Sequence, residues 1–404
     1  MAHGLTDDLV TRLKNKPQGL ALYVHLPFCK KKCGYCDFYS LPAQPYHLIA
    51  VTVKEICAEL AWYSQNLHLS HCDTVYIGGG TPSWLPVNLL SKLLAAIKPY
   101  TSSATEWTIE ANPESLNKEF LKLCRDFGVN RVSLGVQSFS YRLLRILERD
   151  CSKDSLQKAC ELICSFWPGD VNIDLIYAIP TQRISELEQD LTMALSLRPQ
   201  HLSCYRLTLN KKTSLGQRIK AKTDDIRWEE ALSRLIWDHL KRNGYRHYEI
   251  SNYCLPKKFC RHNLHYWLLD PYLGIGPAGV STLPLCGGSA LRLEKPFNLK
   301  AYLIQGWREA TKTELITPKS LLLEHLLMGL RLKKGIELKK LQSRFPNLGL
   351  QLSPLFLRWE ERGLIKKTPG RISCRYSGLR ILNVLLREAA GFIAELKELN
   401  TNWP

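Results

Sequence analysis

Three cysteines, Cys29, Cys33 and Cys36, stand in the run YVHLPFCKKKCGYCDF with the spacing C-x-x-x-C-x-x-C. Thiolates are the usual ligands of iron–sulfur clusters, and a cluster normally takes four of them. Three thiolates therefore leave one iron with an open coordination position. The spacing predicts a 4Fe-4S cluster whose open iron can bind a small chelating ligand.

Two other interpretations of this spacing are weaker. Cysteines at positions i, i+4 and i+7 could share the buried face of a helix, but Pro27, Gly34 and the lysines at 30–32 oppose a helix here. A zinc site needs four ligands, usually in C-x-x-C pairs. The next candidate ligand in this run is Asp37, so the ligand count favours the cluster.

Length and charge bound the organisation of the chain. Its 404 residues exceed one usual core, so we expect one large domain and one smaller domain. The 55 lysines and arginines exceed the 37 acidic residues by 18. This excess favours an anionic partner such as nucleic acid, a lipid surface or a ligand with carboxylates.

The expected compartment is the cytoplasm. No stretch reaches about 18 uncharged apolar residues, so no membrane span is expected. The first 20 residues contain acids and lack the apolar core of a signal peptide. The 14 cysteines are therefore interpreted as thiols and metal ligands rather than disulfides.

Alternating strand-like and helix-like segments must position the cysteines. The strand candidates are residues 21–26, 74–77, 106–110, 131–135, 171–177 and 201–207. The helix candidates between them are residues 48–63, 87–98, 116–127, 153–166 and 184–197. Six consecutive βα units predict a parallel sheet covered on both faces.

The unusual residues fall toward the carboxyl ends of these strands. The cysteine loop follows the first strand, the glycines 78–80 follow the second, and Glu110 closes the third. Gln137 follows the fourth strand, and Asp174 stands late in the fifth. In a β/α barrel these loops converge on one cavity. A doubly wound sheet is the alternative, with fewer of the loops reaching a common point.

The first 280 or so residues resemble the coproporphyrinogen III dehydrogenase branch of the radical SAM superfamily, and within it the HemW-like haem chaperone family. The motifs that carry the resemblance are YVHLPFCKKKCGYCDF, IGGGTP, EANPE, GVNRVSLGVQSF, NIDLIYAIP, YEISNY, HNLHYW and YLGIGPAG. The resemblance implies a partial (β/α)6 barrel, a cluster on the three cysteines and S-adenosylmethionine (SAM) on its open iron. It implies SAM contacts at Tyr23, Tyr35, Gly79, Gly80, Thr81, Glu110, Gln137, Arg149 and Asp174.

Three of these positions have a chemical interpretation beside the resemblance. Consecutive glycines at 78–80 would let backbone amides approach the amino or carboxylate end of SAM, although a lone glycine triplet is usually a turn. Glu110 would accept hydrogen bonds from the ammonium, and Asp174 from the ribose hydroxyls. The alternative for both carboxylates is capping of the following helix.

Two features separate the chaperones from the dehydrogenases. The dehydrogenases have a fourth cysteine two positions after the third, whereas Asp37 and Phe38 follow Cys36 here. They also have a long segment before the first strand, and only 22 residues precede Tyr23. Both features favour a chaperone that binds haem and hands it to an acceptor protein, which the sequence does not identify.

Two alternatives from other classes stay open. One is an oxygen-independent coproporphyrinogen III dehydrogenase, which would release carbon dioxide from the propionates of its substrate. The other is a radical SAM enzyme acting on nucleic acid, which would show salt-sensitive retention on DNA or RNA. A specific nucleic acid is not expected, and peripheral contact with a membrane is a further possible consequence of the positive charge.

The run CRHNLHYW resembles the haem-binding H-N-x-x-Y-W run of the family, which implies His262, Asn263, Tyr266 and Trp267 as haem-binding residues. His262 offers an imidazole for the axial position of iron, and the two aromatic residues offer flat faces for a porphyrin. A histidine beside aromatic residues is more often a packed or hydrogen-bonded side chain.

Neighbouring residues complete this haem prediction and also compete with it. The basic residues Lys257, Lys258 and Arg261 would pair with the propionates. Cys260 and His265 are competing iron ligands that spacing does not exclude.

Three positions depart from the pattern of the family. Cys151 and Val280 replace usual histidines, and Ala178 replaces a usual glycine. These departures leave the cluster and SAM positions intact, but they weaken an expectation of ordinary turnover or of an unchanged haem pocket.

The predicted domains are an N-terminal extension (residues 1–20), the barrel with the HNLHYW segment (21–285) and a C-terminal domain (286–404). After a basic linker near Lys300, helix-like stretches at 321–332, 338–345 and 355–362 precede a hairpin with its turn at Pro369 and Gly370. Helices followed by such a hairpin predict a winged-helix-like α+β domain. The third helix has Trp359, Glu360 and Glu361, which favours protein contact or a substrate lid over DNA binding.

Overall fold

The computed structural model describes residues 2–3, 19–219 and 226–396. Residues 4–18 of the predicted N-terminal extension (residues 1–20) lie outside the described residues. The strands are β1 (Ala2–His3), β2 (Leu20–Leu26), β3 (Phe28–Cys29), β4 (Leu41–Pro42), β5 (Cys72–Gly79), β6 (Glu106–Ala111), β7 (Arg131–Gln137), β8 (Asp170–Tyr177), β9 (His201–Arg206), β10 (Arg246–His247), β11 (Asn252–Cys254), β12 (Tyr272–Ile275), β13 (Val280–Pro284), β14 (Ala290–Glu294), β15 (Lys312–Ile316), β16 (Ile336–Glu337), β17 (Ile365–Thr368) and β18 (Arg371–Cys374).

The helices alternate with these strands. They are α1 (Tyr46–Asn66), α2 (Val87–Ile97), α3 (Lys118–Phe127), α4 (Tyr141–Ile146), α5 (Lys153–Ser165), α6 (Ile184–Ser196), α7 (Ser214–Arg218), α8 (Ile226–Arg242), α9 (Arg261–Trp267), α10 (Pro318–Gly329), α11 (Leu338–Arg344), α12 (Pro346–Gln351), α13 (Ser353–Glu361), α14 (Tyr376–Arg380) and α15 (Leu382–Glu395). None of the helices in the described ranges has both the length and the apolar character needed to cross a membrane.

The parallel core of the protein consists of β2, β5, β6, β7, β8 and β9, which are neighbours in this order. All six predicted strands are present. The order follows the chain without a reversal, whereas a doubly wound sheet reverses its order at a switch point. The sheet has two open edges, so the partial barrel of the sequence prediction is confirmed.

The sheet extends further than the sequence predicted. Strand β12 joins β2 in parallel, and β13, β14, β15 and β1 continue that edge in antiparallel pairs. At the other edge, β11 and β10 add antiparallel strands beside β9. Strand β5 also includes Gly78 and Gly79, and β7 includes Gln137, which the sequence placed after these strands.

The two faces of the parallel sheet differ in chemistry. Leu22, Val24 and Leu26 of β2 alternate with Tyr23 and His25, and all three leucine and valine side chains belong to the main apolar core. On the other face, cross-strand pairing places Tyr23 beside Tyr76, and Tyr76 beside Thr108. The interior of the partial barrel is therefore polar, and the helices pack on the apolar outer face.

A buried ion pair ties α1 to the antiparallel extension. Lys295, which follows β14, lies 3.0 Å (Nζ to Oε1) from Glu59 of α1, and both side chains are 0% exposed. The ammonium also donates hydrogen bonds to the hydroxyls of Tyr63 (2.8 Å) and Thr311 (3.0 Å). The second oxygen of Glu59 accepts from the hydroxyl of Tyr302 (2.6 Å). These bonds provide the partners that a buried charge pair requires.

The C-terminal part has its own apolar core, which includes Leu326, Phe345, Trp359 and Ile372. Its order is helix α10, strand β16, helices α11 to α13 and hairpin β17–β18, with the three strands in the sheet order β16-β18-β17. This is the winged-helix-like arrangement that the sequence predicted. The boundary at residue 286 stays a prediction, since β14 and β15 extend the large sheet.

Candidate functional site

The cysteine loop is fixed at both ends and in its middle. Cys29 ends β3, which pairs with β4, so its backbone is held in a short parallel ladder. Gly34 donates a backbone hydrogen bond to Leu147 O (3.1 Å) and accepts one from Leu215 N (2.8 Å). A Cβ on Gly34 would lie 2.5 Å from the carboxylate of Glu148, so only glycine fits at this point without rearrangement. The fold thus presents Cys33 and Cys36 on either side of an anchored glycine.

Burial makes the thiols of Cys29 and Cys36 harder to ionise. Burial raises the pKa of Cys29, although hydrogen bonds from Thr81 and Ser40 act in the opposite direction. Burial raises the pKa of Cys36 to about 11. Metal binding to these cysteines would therefore release protons.

Their geometry does not suit a single zinc ion. Within the described residues, no three His, Cys, Asp or Glu side chains converge on a position for one metal ion. A zinc ion would require ligand atoms within about 2.0–2.3 Å of one point. In a 4Fe-4S cluster each thiolate binds a different iron, so its cysteine sulfurs stay apart. Three thiolates without a fourth ligand suit a cluster with one open iron better than a structural zinc site, which takes four ligands.

One cavity of about 470 Å³ unites the predicted cluster and SAM residues. It opens at the carboxyl ends of the parallel strands, as expected for a β/α barrel. The three cysteines line it, and so do all nine predicted SAM residues: Tyr23, Tyr35, Gly79, Gly80, Thr81, Glu110, Gln137, Arg149 and Asp174. The structure therefore brings these twelve residues together around one space.

The glycines at the end of β5 serve internal contacts. The amide of Gly79 donates to Glu110 (3.1 Å), that of Gly80 to Leu26 O (2.7 Å), and that of Thr81 to Phe28 O (2.7 Å). A Cβ on Gly80 would lie 2.4 Å from Phe28 O. The sequence interpretation, in which these amides approach a ligand, does not match these contacts, because the amides are already hydrogen-bonded within the protein.

Glu110 is a buried carboxylate of the cavity with a raised pKa. Burial raises its pKa to about 7, against hydrogen bonds from the hydroxyl of Tyr76 (2.8 Å) and the amide of Gly79. The negative charge of Asp174 raises the pKa further. A buried carboxylate beside a second one is a favourable position for a cationic ligand group.

Asp174 is held by neutral donors. Its carboxylate accepts hydrogen bonds from Ser133 (2.9 Å) and from the side-chain amide of Asn172 (2.8 Å). Burial raises its pKa, while these hydrogen bonds act in the opposite direction. This carboxylate has further acceptor capacity and can accept hydrogen bonds from hydroxyls of a ligand.

Hydrogen bonds position Arg149 at the cavity, and a strand irregularity positions Gln137. Arg149 forms a two-atom contact with the carboxylate of Glu114, with Nε at 2.8 Å, and donates to Gly135 O at 2.7 Å. Gln137 has φ of 69°, unusual for a residue with a Cβ, and it follows a register irregularity in the β7–β8 pairing. Such a bulge turns a side chain out of the regular alternation.

The HNLHYW segment forms helix α9 at the opposite end of the parallel strands. Glu106, the first residue of β6, accepts hydrogen bonds from the amides of Arg261 (2.9 Å) and His262 (3.0 Å). The thiol of Cys260 lies 3.7 Å from the same carboxylate, and burial raises its pKa to about 12. Helix α9 therefore packs near the amino ends of the strands, away from the cysteine loop.

His262 is buried with both ring nitrogens in hydrogen bonds. Nδ1 lies 2.8 Å from the hydroxyl of Thr74, and Nε2 lies 2.9 Å from the hydroxyl of Tyr266. Burial lowers its pKa to about 3, and the ring stacks on Tyr76 with a centroid distance of 5.1 Å. Iron could reach His262 only after one of these hydrogen bonds broke.

The other predicted haem residues are divided between sites. Asn263 is partly exposed on α9, and Trp267 lines a separate cleft against the C-terminal domain. Lys258 is paired with Asp170 (2.8 Å), and Arg261 donates to Ala104 O (2.7 Å). His265 has a buried Nδ1 with no hydrogen-bond partner among the described residues.

Of the three residues that depart from the family pattern, Ala178 is the one with an unusual backbone conformation. Ala178 has φ of 58°, a left-handed conformation that favours the glycine usual in the family. Cys151 is partly buried beside the main core, and Val280 pairs with Glu294 in the β13–β14 ladder. Neither Cys151 nor Val280 lines the cavity of the cysteines.

Sequence reasoning missed several residues that line or support the cavity. Tyr76 links Glu110 to His262, Asn112 donates to Thr81 (3.0 Å), and Ser133 supports Asp174. Their signal is polar residues at every second position of otherwise apolar strands, as in Asn172 and Asp174 of β8. Strands in which polar and apolar residues alternate in this way are typical of a barrel with a polar interior.

Comparison with known proteins gives consistent relatives. The pattern that defines the Radical SAM superfamily matches residues 23–194. The chain is 33% identical over 340 residues to a protein named heme chaperone HemW from Synechocystis sp., covering 80% of each chain. It is 32% identical over 333 residues to that of Lactococcus lactis, covering 80% of this chain and 84% of the relative. The protein of that name from Bacillus subtilis is 28% identical over 394 residues, which cover 93% of this chain and 99% of the relative.

Among solved structures, the fold is similar to coproporphyrinogen III oxidase (HemN) from Escherichia coli, described as a radical SAM enzyme. The TM-score is 0.80, and the match covers 97% of this chain and 94% of the other. At 18% identity, the likeness shows a shared fold that includes the C-terminal domain.

Proposed function

Because this chain belongs to the HemW family of the radical SAM superfamily, we propose that it is a haem chaperone that binds a 4Fe-4S cluster, SAM and haem. In this role it transfers haem to an acceptor protein. The observation that supports the proposal best is the single cavity lined by the three cysteines and by all nine predicted SAM residues.

Cys29, Cys33 and Cys36 would hold the cluster and leave one iron for SAM. When bound, this pair of cofactors supplies one-electron chemistry. Glu110 would bind the amino end of SAM and Asp174 its ribose, since both carboxylates face the cavity with unused acceptor capacity. Gly79 and Gly80 would contact SAM through atoms other than their amides, which are bonded internally.

The haem part of the proposal rests on the family and on the HNLHYW segment. The Nε2 of His262 and the hydroxyl of Tyr266 are hydrogen-bonded to each other at 2.9 Å. Haem at His262 would have to replace the contact with Thr74 or Tyr266. Asn263 and Trp267 offer polar and aromatic contacts on the same helix.

The chaperone is favoured over the dehydrogenase alternative at one position. Phe38 stands where the dehydrogenases have a fourth cysteine; its side chain is 63% exposed and lines the cavity. An exposed aromatic ring cannot replace a thiolate ligand. For the nucleic-acid alternative, Trp359 of the third helix is buried and donates to Glu388 (2.8 Å), so it is a core residue rather than a contact surface.

A cytoplasmic location and a haem-acceptor protein are also parts of the proposal. Thirteen of the 14 cysteines, those whose side chains the structure describes, are free thiols, which suits the reducing cytoplasm. The acceptor would be a haem protein, and membrane contact would involve the positive surface only.

The cluster prediction is tested by replacing each of the three cysteines with serine. Anaerobically reconstituted wild-type protein should contain about four iron atoms per chain and bind SAM. Each of Cys29→Ser, Cys33→Ser and Cys36→Ser should lose most of the iron and the cubane signal in Mössbauer spectra. The matched control is Cys164→Ser, an exposed thiol on α5, which should keep wild-type iron. Full iron in any of the three variants would refute the ligand assignment.

A further inference from the structure

A depression of about 390 Å³ lies at the amino ends of the parallel strands, away from the cavity of the cysteines. The first residues of three neighbouring strands line it: Glu106 of β6, Arg131 of β7 and Asp170 of β8. The segment before α9 and the first residue of that helix, Arg261, form another part of its wall. We call this site the amino-end depression.

Arg131 is a buried arginine with an unsatisfied donor. The residue is 4% exposed, and its Nε is buried without a hydrogen-bond partner among the described residues. The carboxylate of Glu106 lies 4.0 Å from Nη1, which is an ion-pair distance but too long for a hydrogen bond. A buried guanidinium requires acceptors for its N–H groups as well as a counter-charge. Arg131 has the counter-charge and lacks an acceptor at Nε.

Two acids line the amino-end depression, and both are engaged by other groups. Glu106 accepts hydrogen bonds from two backbone amides at the start of α9, at 2.9 and 3.0 Å. Asp170 pairs with Lys258 at 2.8 Å, so these two charges balance each other. The carboxylates of the depression therefore do not complete the hydrogen bonding of Arg131.

Two further cations stand at the rim of the depression. Lys257 is exposed there. Arg261 donates from Nη1 to Ala104 O at 2.7 Å, which fixes its guanidinium and leaves other N–H groups for a ligand. The four lysines and arginines of the depression exceed its two carboxylates by two charges. This excess around an unsatisfied guanidinium favours a negatively charged ligand with several acceptor oxygens.

We propose that the amino-end depression binds an oxyanion, with Arg131 as its buried ligand and Lys257 and Arg261 at its rim. Carboxylate and phosphate both match the planar array of donors that a guanidinium presents. Two sources supply this chemistry: a propionate of haem and a free phosphate. The first source rests on the proposed function, because the adjoining helix α9 contains the HNLHYW segment. In that case Arg131 takes the place that the sequence analysis gave to Lys258.

The first arm of the test titrates the full-length protein with inorganic phosphate at an ionic strength held constant with chloride. Calorimetry and the thermal midpoint follow binding. The wild type should bind phosphate and unfold at a higher temperature with it, and Arg131→Gln should weaken binding at least tenfold. Lys257→Gln should weaken it about threefold. The matched control is Lys54→Gln, an exposed lysine of α1 outside the depression, which should bind as the wild type does.

The second arm identifies the source by comparing haemin with its dimethyl ester, whose propionates carry no charge. Preference of the wild type for haemin by at least fivefold, with a ratio near one in Arg131→Gln, would identify a propionate. Equal affinity of the wild type for haemin and the ester, with phosphate binding that depends on Arg131, would identify a free phosphate.

The outcomes separate this proposal from the proposed function. Phosphate affinity and a haemin-to-ester ratio that both stay at wild-type values in Arg131→Gln and Lys257→Gln would overturn the oxyanion site, while haemin binding would leave the chaperone proposal in place. Failure of the wild type to bind either haemin or its ester would overturn the chaperone proposal, and the phosphate arm would still decide the oxyanion site. Circular dichroism checks the fold of Arg131→Gln; if this variant does not fold, Lys257→Gln decides both arms, because that side chain is on the surface.

Discussion

At the scale of single residues, the burial of Glu110 in the cavity lowers the stability of the folded protein at neutral pH. Its pKa of about 7 lies above the 4.5 of an unperturbed glutamate, because burial disfavours the charged form. Between pH 4.5 and pH 7, Glu110 is therefore protonated in the folded protein and ionised in the unfolded chain. Stability contributed by this group falls as the pH rises from 4.5 through 7 and stays low above it.

Glu110→Gln should therefore stabilise the cofactor-free protein at pH 8 but not at pH 5. Above the folded pKa, the buried charge of Glu110 lowers the stability by about 3 kcal/mol, because each unit of pKa shift corresponds to about 1.4 kcal/mol. Loss of the hydrogen bond from Gly79 offsets about 1 kcal/mol of this, which leaves a gain of roughly 1–2 kcal/mol. Thermal unfolding at the two pH values measures it, and SAM affinity should fall in the same variant.

The control is Glu161→Gln, an exposed carboxylate on α5, which should change stability little at either pH. Equal destabilisation of Glu110→Gln at pH 5 and pH 8 would contradict the effect of burial. Tyr76 of β5, Asp174 of β8 and Tyr23 of β2 interact with Glu110, and all three stay unchanged in this comparison.

The residues of the cavity were predictable to different degrees. Cys29, Cys33 and Cys36 follow from spacing alone, and Glu110 and Asp174 from their places at strand ends. Tyr76 and Ser133 were missed because a pattern along one strand does not give the register between strands. The hydrogen bond between His262 and Thr74 was also unpredictable, since it joins residues 188 positions apart.

At the scale of elements, the end of β5 holds the cysteine-bearing strand β3 in place. Gly80 N donates to Leu26 O, Thr81 N donates to Phe28 O, and the Cβ of any larger residue at 80 would overlap the backbone of Phe28. The next residue after Phe28 is Cys29. A change at Gly80 therefore acts on a cysteine without altering any sulfur.

Gly80→Ala should reduce the iron bound after anaerobic reconstitution by at least half. Overpacking against backbone should also destabilise the fold by about 1–3 kcal/mol. Iron per chain and the thermal midpoint are the measurements. The control is Gly391→Ala on α15, where a Cβ meets nothing within 4 Å and alanine should be neutral or slightly stabilising. Wild-type iron in Gly80→Ala would show that β3 adjusts freely.

The elements themselves were predictable where the periodicity is long and regular. Helix α1 and strands β6 and β8 lie within a few residues of their predicted limits. The antiparallel strands β13 to β15 were missed, because each has only five residues and their pairing depends on β12 returning to β2. Contacts of such long sequence separation leave no local periodicity to detect.

At the scale of the whole molecule, a chain of hydrogen bonds joins the two cavities. Asp174 of the first cavity accepts from Asn172 Nδ2 at 2.8 Å, and Asn172 Oδ1 lies 2.6 Å from His201 Nδ1. His201 Nε2 lies 2.8 Å from the hydroxyl of Tyr248, a residue that lines a second cavity of about 230 Å³ beside Trp267. With His201 protonated at Nδ1, every bond in this chain donates toward Asp174.

Such a chain predicts energetic coupling between SAM and haem. A ligand that bonds to Asp174 is expected to repolarise the chain as far as the Tyr248 hydroxyl, which accepts a hydrogen bond from the amide of Cys260 (3.3 Å) at the start of α9, the helix of the HNLHYW segment. We expect haemin to change SAM affinity about fivefold, near 1 kcal/mol, and by reciprocity SAM to change haemin affinity by the same factor. Four titrations, two for each ligand (with and without the other), measure this factor in the wild type.

Tyr248→Phe is the decisive variant, since it removes the hydroxyl and keeps the ring that lines the second cavity. The variant should bind each ligand alone, and the ratio between affinities with and without the second ligand should approach one. The control is Tyr253→Phe on the adjoining strand β11, whose hydroxyl lies outside this chain of bonds and should leave the ratio unchanged. If Tyr248→Phe keeps the wild-type ratio, the coupling passes through packing between the domains rather than through this chain of polar side chains.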